Sequence, residues 1–319
     1  MMKRSLIVLV VALVALWLGW HFYSSSEEER LSVPQHERFF VVDTSLVDSA
    51  AMKYADWTHL SKIDGQWIFH GDDYTYPANA EQLMTVFETT NKMVLENMIS
   101  RSPSKFRKFE VDTTRGRVMR FYHEGEPLAE FVIGKLGPGV THTYVRQLDS
   151  DSVYLARGRF RSLYTQMPDM WKSSVIIPCD TSTVDTIRWI YPDEEVRLAR
   201  SADDTWMAWS SVTGEQQADS AAVSRVLNRM CPFTTHTFLP DGSPDNPDFS
   251  SLALQLIIVH GAGTADTVIW AEKKPDEQRL FARLSGQGKP IFLFGRQAFD
   301  QIAYPFDSLV VSESAESES

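Results

Sequence analysis

Cysteine is scarce in this 319-residue chain, which holds only Cys179 and Cys231. Two thiols cannot build a disulfide-dense scaffold. No Cys-x-x-Cys, His-x-x-x-His or His-Glu-x-x-His spacing occurs among them and the eight histidines, so the familiar zinc patterns are excluded. Basic residues are also short: 31 Lys and Arg stand against 42 Asp and Glu, a net charge of −11. That balance argues against nucleic acid, whose phosphates need a basic face. A Gly-x-Ser-x-Gly nucleophile elbow is missing. Gly134 to Gly139 is glycine-rich and carries Lys135, but it lacks the Gly-Lys-Ser/Thr end of a phosphate loop and joins strands instead of opening a helix. It reads as a tight loop with positive φ. No catalytic residue, cofactor-binding residue or metal ligand can be named from these patterns.

What is present is apolar and aromatic. Hydrophobic residues make up 43% of the chain, with nine Trp and eighteen Phe, enough for real cores. The acidity is partly local, in Glu27 to Glu29 and in Glu313, Glu316 and Glu318. Lys3 and Arg4 precede an uncharged run whose apolar part is Leu6 to Tyr23, long enough to span a bilayer as a helix. Trp17, Trp20 and Tyr23 cluster at its far end, where amphipathic rings favour the interface. Positive charge before the run and Glu27 to Glu29 after it predict a single-pass anchor with the N-terminus in the cytoplasm and the body outside, periplasmic. No small-x-small site occurs between the run and the Glu cluster, so the run is expected to be retained.

Asp43-Thr44-Ser45-Leu46-Val47-Asp48 recurs as Asp180-Thr181-Ser182-Thr183-Val184-Asp185, 137 positions later. The stretches after the two copies are also alike. Leu60 to Ile63, Asp64-Gly65, and Gln66 to Phe69 read as a hairpin with a type I′ turn. Val196 to Arg200 and Trp206 to Trp209 are its counterpart. A helix is expected next, capped at Asn79 and facing inward with Leu83, Val86, Phe87 and Val94, or capped at Asp219 with Val223, Val226, Leu227 and Met230. Two further hairpins and a short helix, Arg159 to Tyr164 or Arg296 to Ile302, complete each unit. The expected fold is α+β: two tandem units of mostly antiparallel strands with one long helix each, after an N-terminal transmembrane helix. The expected limits are 1–29 cytoplasmic tip and anchor, 30–39 tether, 40–165 unit 1, 166–179 linker, 180–304 unit 2 and 305–319 disordered acidic tail.

The apolar strand after Asp180, Gly65-Gln66-Trp67 ahead of a polar loop and helix, Thr143-Tyr144-Val145-Arg146, and Met170-Trp171-Lys172 before Val175-Ile176 together resemble an uncharacterised bacterial family, number four-three-four-zero of the domains of unknown function. The resemblance covers roughly residues 40 to 305 and rests on pattern rather than on a strict motif. It implies a single-pass membrane protein facing out of the cytoplasm and, for members encoded beside gliding-motility-type ABC transporter subunits, an accessory role at a transporter. It brings no catalytic residues.

Four residues are candidate contacts for a partner or ligand. Arg146 and Arg283 each follow an aromatic residue by two, so ring and guanidinium share a strand face. Each arginine fork either binds a carboxylate or forms an internal ion pair. Trp171 and Trp209 have no evident core role and suggest a partner surface. Trp67 and Trp206 are expected in the cores, between sheet and helix. Cys179 and Cys231 are a candidate disulfide outside the cytoplasm, although their unit 1 counterparts, Val42 and Asn91, are not cysteines. The expected function is a non-enzymatic accessory or scaffold binding other envelope proteins, including ABC transporter subunits. A small-ligand or glycan module using the cleft between units is the alternative, and an envelope hydrolase ranks last.

Overall fold

The computed structural model describes residues 13–18, 37–164, 168–261, 263–271 and 278–311. It overturns the α+β expectation. The chain is 43% strand and 20% helix, in antiparallel sheets, and neither unit has a long helix. Helix α1 (Ala80–Asn91) has 12 residues and helix α2 (Ser220–Met230) has 11, three turns each. The apolar face expected to continue to Val94 stops at Asn91 because the chain then turns into strand. Val94 bridges Arg38, and Leu95–Ser100 joins a sheet. No helix among the described residues is long and apolar enough to cross a membrane. Residues 13–18 are helical, and the rest of the expected anchor lies outside the described residues, as does most of the tether.

The described chain divides into two compact units. Unit 1 holds the residues up to Phe69 and Ala80–Trp171, while unit 2 holds His70–Asn79 and the residues from Lys172 onward. In unit 1 the strands are β1 (Ser49–Lys53), β2 (Trp57–Ile63), β3 (Gln66–His70), β4 (Thr75–Pro77, in the segment counted with unit 2), β5 (Leu95–Ser100), β6 (Arg117–His123), β7 (Glu126–Leu136), β8 (His142–Gln147) and β9 (Val153–Arg157). Its sheet runs β3-β2-β1-β6-β7-β8-β9-β5. The turns arise from local sequence. Asp64 and Gly65 both have positive φ, as do Glu124 and Gly125, the pattern of a type I′ hairpin turn. Before β1 the Asp43 carboxylate accepts from the Ser45 amide at 3.0 Å and from its hydroxyl at 2.6 Å, an Asx turn. Alternation along the strands sends Leu60, Phe121 and Phe131 inward, where Leu83, Val86 and Phe87 of α1 meet them. Each such buried ring contributes on the order of 1.5–3 kcal/mol. The opposite face carries a smaller second core, in which Phe109 and Val111 cover Val118, Val132, Tyr144 and Val153.

Unit 2 contains β10 (Val175–Ile177), β11 (Val184–Ile190), β12 (Glu195–Arg200), β13 (Trp206–Ser210), β14 (Gly214–Gln217), β15 (Phe233–Thr234), β16 (Leu252–His260), β17 (Thr264–Ala271), β18 (Arg279–Leu284) and β19 (Phe292–Gly295). The main sheet runs β14-β13-β12-β11-β16-β17-β18-β19, the strand order of unit 1 over its equivalent members. Asp180 makes the same Asx turn onto Ser182, at 2.8 and 2.6 Å. Asp219 caps α2 by accepting from the Ala222 amide at 2.7 Å. The likeness extends to pairings that no local pattern announces. Thr237 to Leu239 lies along β19, as β5 lies along β9. The Val175–Thr234 pair of β10 and β15 matches the Arg38–Val94 bridge.

Two readings are corrected and one gains detail. The boundary between Trp171 and Lys172 falls inside the expected linker 166–179, whose described part also packs: Trp171 and Ile177 are buried, and Val175–Ile177 is a strand. The tail expected to be disordered from 305 instead buries Phe306 and Leu309 and bridges Val310 to Ala218, because its apolar side chains have a core to enter. The remainder of that tail lies outside the described residues. Arg159 to Tyr164 contains turns rather than a helix, with Tyr164 buried and hydrogen-bonded to Thr90 at 2.7 Å.

Candidate functional site

The four candidate contacts separate once placed. Arg146 on β8 is 5% exposed. Its Nε donates to the Val111 carbonyl at 3.0 Å, and its Nη1 donates to the carbonyls of Gln147, Leu148 and Ser150 at 3.0 to 3.1 Å. The guanidinium lies 4.1 Å from the centre of the Phe106 ring. Among the described residues its hydrogen-bond partners are backbone carbonyls and not a carboxylate. It is a fastener between β8, the turn after it and the Phe106 segment. Burial pulls its pKa below the usual arginine value, with Asp151, Asp112 and Asp149 acting against that pull. Trp171, at 2% exposed, is also internal and offers no surface to a partner. A tryptophan in an apolar connecting stretch is more simply core, and here it is.

Arg283 sits at the equivalent place in unit 2, 4.3 Å from the Phe249 ring, but only half-buried. Its Nε finds no hydrogen-bond partner among the described residues. Trp209 on β13 is half-buried as well, with the Arg197 guanidinium 5.0 Å from its ring centre. Cys179 and Cys231 are joined as a disulfide. Trp67 and Trp206 are half-buried rather than enclosed. The Trp67 ring still lies 5.9 Å from that of Phe87 on α1. The fully buried indoles are Trp189 and Trp270, whose apolar strands β11 and β17 give the readable signal.

Two histidines and the glycine-rich loop are accounted for locally. His123 Nδ1 lies 3.4 Å from Asp48, and His260 Nε2 lies 2.9 Å from Asp266. Hydrogen bonding from the Glu124 amide holds the Asp48 carboxyl below its ordinary pKa. No group of three or more His, Cys, Asp or Glu residues among the described ones is placed to hold a metal ion. Gly134 is required where it stands, since a Cβ there would meet the Phe109 carbonyl at 2.5 Å. A notch in unit 1, lined in part by Phe40, Leu128, Gln147 and Asp149, encloses about 220 Å³. That is below the several hundred Å³ of ordinary small-molecule sites.

The feature that sequence reasoning missed is a face. Residues opposite one another in an antiparallel sheet point the same way. Along unit 2 the pairings place Glu215, Trp209, Arg197, Arg188, Ile257 and Thr267 in one row across β14, β13, β12, β11, β16 and β17. A second row holds Met207, Ala199, Thr186 and Val259, and a third holds Ile190, Gln255, Ile269 and Arg283. The other face of these strands is the core, with Ile187, Trp189, Leu198, Leu256 and Val268 fully buried, and α2 packs there. The outer rows are mostly half-buried and mix large apolar side chains with arginine. Alternation in Arg188-Trp189-Ile190 and Arg197-Leu198-Ala199 was the available signal. In unit 1 the Phe106 to Val111 segment builds a second core on the corresponding face. The unit 2 counterpart is the Pro-, Asp- and Ser-rich stretch ahead of β16, which places the single ring of Phe249 against Arg283.

Among known proteins, the model of the family described as Domain of unknown function (DUF4340) matches residues 71–255. No curated protein matches. No solved structure matches either.

Proposed function

The chain belongs to the DUF4340 family, and we propose that it is a non-enzymatic accessory protein of the cell envelope, held on the outer side of the cytoplasmic membrane by its apolar run Leu6 to Tyr23 and binding other envelope proteins through its β units. ABC transporter subunits are the partner class proposed. The observation that carries this reading is the outer face of the unit 2 sheet, where Trp209, Ile257, Val259 and Met207 are left half-exposed among arginines. Partly exposed apolar side chains interleaved with arginine are a composition that protein partners use. Two further points support it. The Cys179–Cys231 disulfide suits an oxidising compartment outside the cytoplasm. The polar networks at Arg146, Asp43 and Asp180 all serve the chain's own backbone, as scaffold residues do.

Crosslinking in intact membranes, with identification of the trapped protein, tests the proposal. A photo-reactive residue at Met84 on α1 or at Thr267 on β17 should recover an envelope protein, and protease added to spheroplasts should digest the body. Recovery of cytosolic proteins only, or a body resistant to protease until the membrane is broken, would overturn it.

A further inference from the structure

Resting on that reading, we infer that the outer face of the unit 2 sheet docks an acidic protein segment, a carboxylate of which is read by Arg197. The charges on the face carry the inference. Arg188, Arg197 and Arg283 stand there against Glu195 and Glu215, in a chain whose net charge is −11. Arg188 is already engaged, its Nε 2.8 Å from Glu195. Arg197 is not: its guanidinium lies over Trp209 and has no ion pair among the described residues. An arginine stacked on an indole keeps its planar fork preorganised for a carboxylate and loses little freedom on binding. Ile257, Val259 and Met207 beside it supply apolar area that a lone ionic contact would lack.

The same features disfavour other occupants. A second copy docked face to face with its two-fold axis near these residues would set Arg188 and Arg197 against their own counterparts, and like charges across an interface are repelled. A lipid surface is usually met by a larger basic cluster and protruding aromatics. Here neither Trp209 nor Ile257 is among the side chains standing clear of the surface. A small molecule would need a concavity, whereas these rows form the open side of a sheet.

The test uses the full chain in its own membranes and a zero-length carbodiimide, which couples amines to carboxylates and leaves arginine untouched. With Arg197→Lys, an adduct absent from the wild type should appear. Its joined peptide should link the new amine at position 197 to an Asp or Glu of another protein. Adding Arg188→Gln should reduce that adduct roughly threefold or more, since one attracting charge is lost and the new side chain offers the reagent no carboxylate beside the amine at position 197. Unchanged near-ultraviolet circular dichroism would show that both variants fold. No new adduct, an adduct to a second copy of this chain, or an adduct indifferent to Arg188→Gln would overturn the inference. The photo-reactive residue at Met84 separates the two readings. Envelope adducts from Met84 without any from position 197 leave the accessory function standing and remove this face. Adducts from neither position remove both.

Discussion

At the C-terminus of the helix that covers each sheet, the two units close the same joint with different chemistry. In unit 1 the Asn91 side-chain amide grips the backbone of Val42. Its Oδ1 accepts from the Val42 amide at 2.9 Å, and its Nδ2 donates to the Val42 carbonyl at 2.7 Å. In unit 2 the equivalent positions are Cys231 and Cys179, and the joint is a disulfide. Both ties fasten the chain just before the Asx turn to the end of that helix. The common requirement is a link between the segment leading into the first strand and the helix above it. A two-hydrogen-bond clamp is indifferent to redox state, whereas the disulfide depends on it. The comparison teaches that the duplicated architecture constrains where a contact is needed and leaves its chemistry open.

The cores differ in the same way. Trp189 and Trp270 are fully buried in unit 2, where unit 1 has Met52 and Ile133 at the corresponding places. The Trp189 Nε1 donates to the Ile302 carbonyl at 2.8 Å. The largest effect should therefore come from Trp189→Ala, which removes a buried indole and orphans that carbonyl. A loss of about 3–5 kcal/mol is expected. Amide exchange should accelerate in β4 and across β10 to β19, and stay slow in β1 to β3 and β5 to β9. Equal acceleration in both would mean that the units unfold together and that the comparison has no energetic content.

Reducing the disulfide should come next. A crosslink closing a loop 52 residues apart in sequence stabilises by about 2–4 kcal/mol, chiefly through the unfolded chain. Thermal melts with and without reductant should differ by that amount for unit 2, with no shift in exchange for unit 1. The sharper form is the double substitution Cys179→Val with Cys231→Asn, which transplants the clamp of unit 1. If the joint is what matters, this variant should melt above the reduced wild type and ignore reductant. A melting point at or below that of the reduced protein would show that the two joints are not interchangeable.

Asn91→Ala is the matching experiment in unit 1. It removes two hydrogen bonds and leaves the partly buried Val42 amide and carbonyl to find water, at a cost of about 1–3 kcal/mol. Faster exchange should be confined to the segment around Val42 and the end of α1. An unchanged melt would remove Asn91 from the stability of the unit.

Local chemistry was legible in the sequence and distant pairing was not. The Asx turns at Asp43 and Asp180, the Asp64-Gly65 turn and the Asp219 cap each depend on two to four neighbouring residues. By contrast, β5 gives little sign of itself in Leu-Glu-Asn-Met-Ile-Ser, and its place beside β9 is set by residues some sixty positions away. Arg146 was legible as unusual but not as buried, because its partners are carbonyls, which every residue possesses. Trp171 misled for a related reason: a large ring in a connecting stretch has no periodicity to assign it to a face. The open unit 2 face required the register of six strands, and a register is not written in any one of them.

The smallest effect expected is one of pH, and it bears on unit 1 alone. Glu96 on β5 accepts from Arg157 Nε at 2.5 Å and faces His142 Nε2, also at 2.5 Å. His142 and Arg157 are direct partners in the β8–β9 ladder, so the carboxylate ties the edge strand β5 to the two strands inside it. In unit 2 the position of Glu96 is held by His236, which lies outside the named strands, and no equivalent tie is made among the described residues. The Arg157 hydrogen bond, helped by His142 and opposed by desolvation, holds the Glu96 carboxyl below its ordinary value of 4.5. A carboxyl depressed in the folded state favours folding while it is ionised in both states. That contribution is complete above the unfolded value and is lost as pH falls through the folded one. Acidification below about 4.5 should therefore loosen β5 before the strands inside it. The Glu96→Gln variant should lose this pH dependence, and its β5 amides should already exchange faster at neutral pH. The Glu96 side chain is 24% exposed and Arg157 is largely exposed, so the change should be small and should shrink with added salt. Protection of β5 that falls with pH equally in wild type and Glu96→Gln would assign the acid sensitivity elsewhere in the unit.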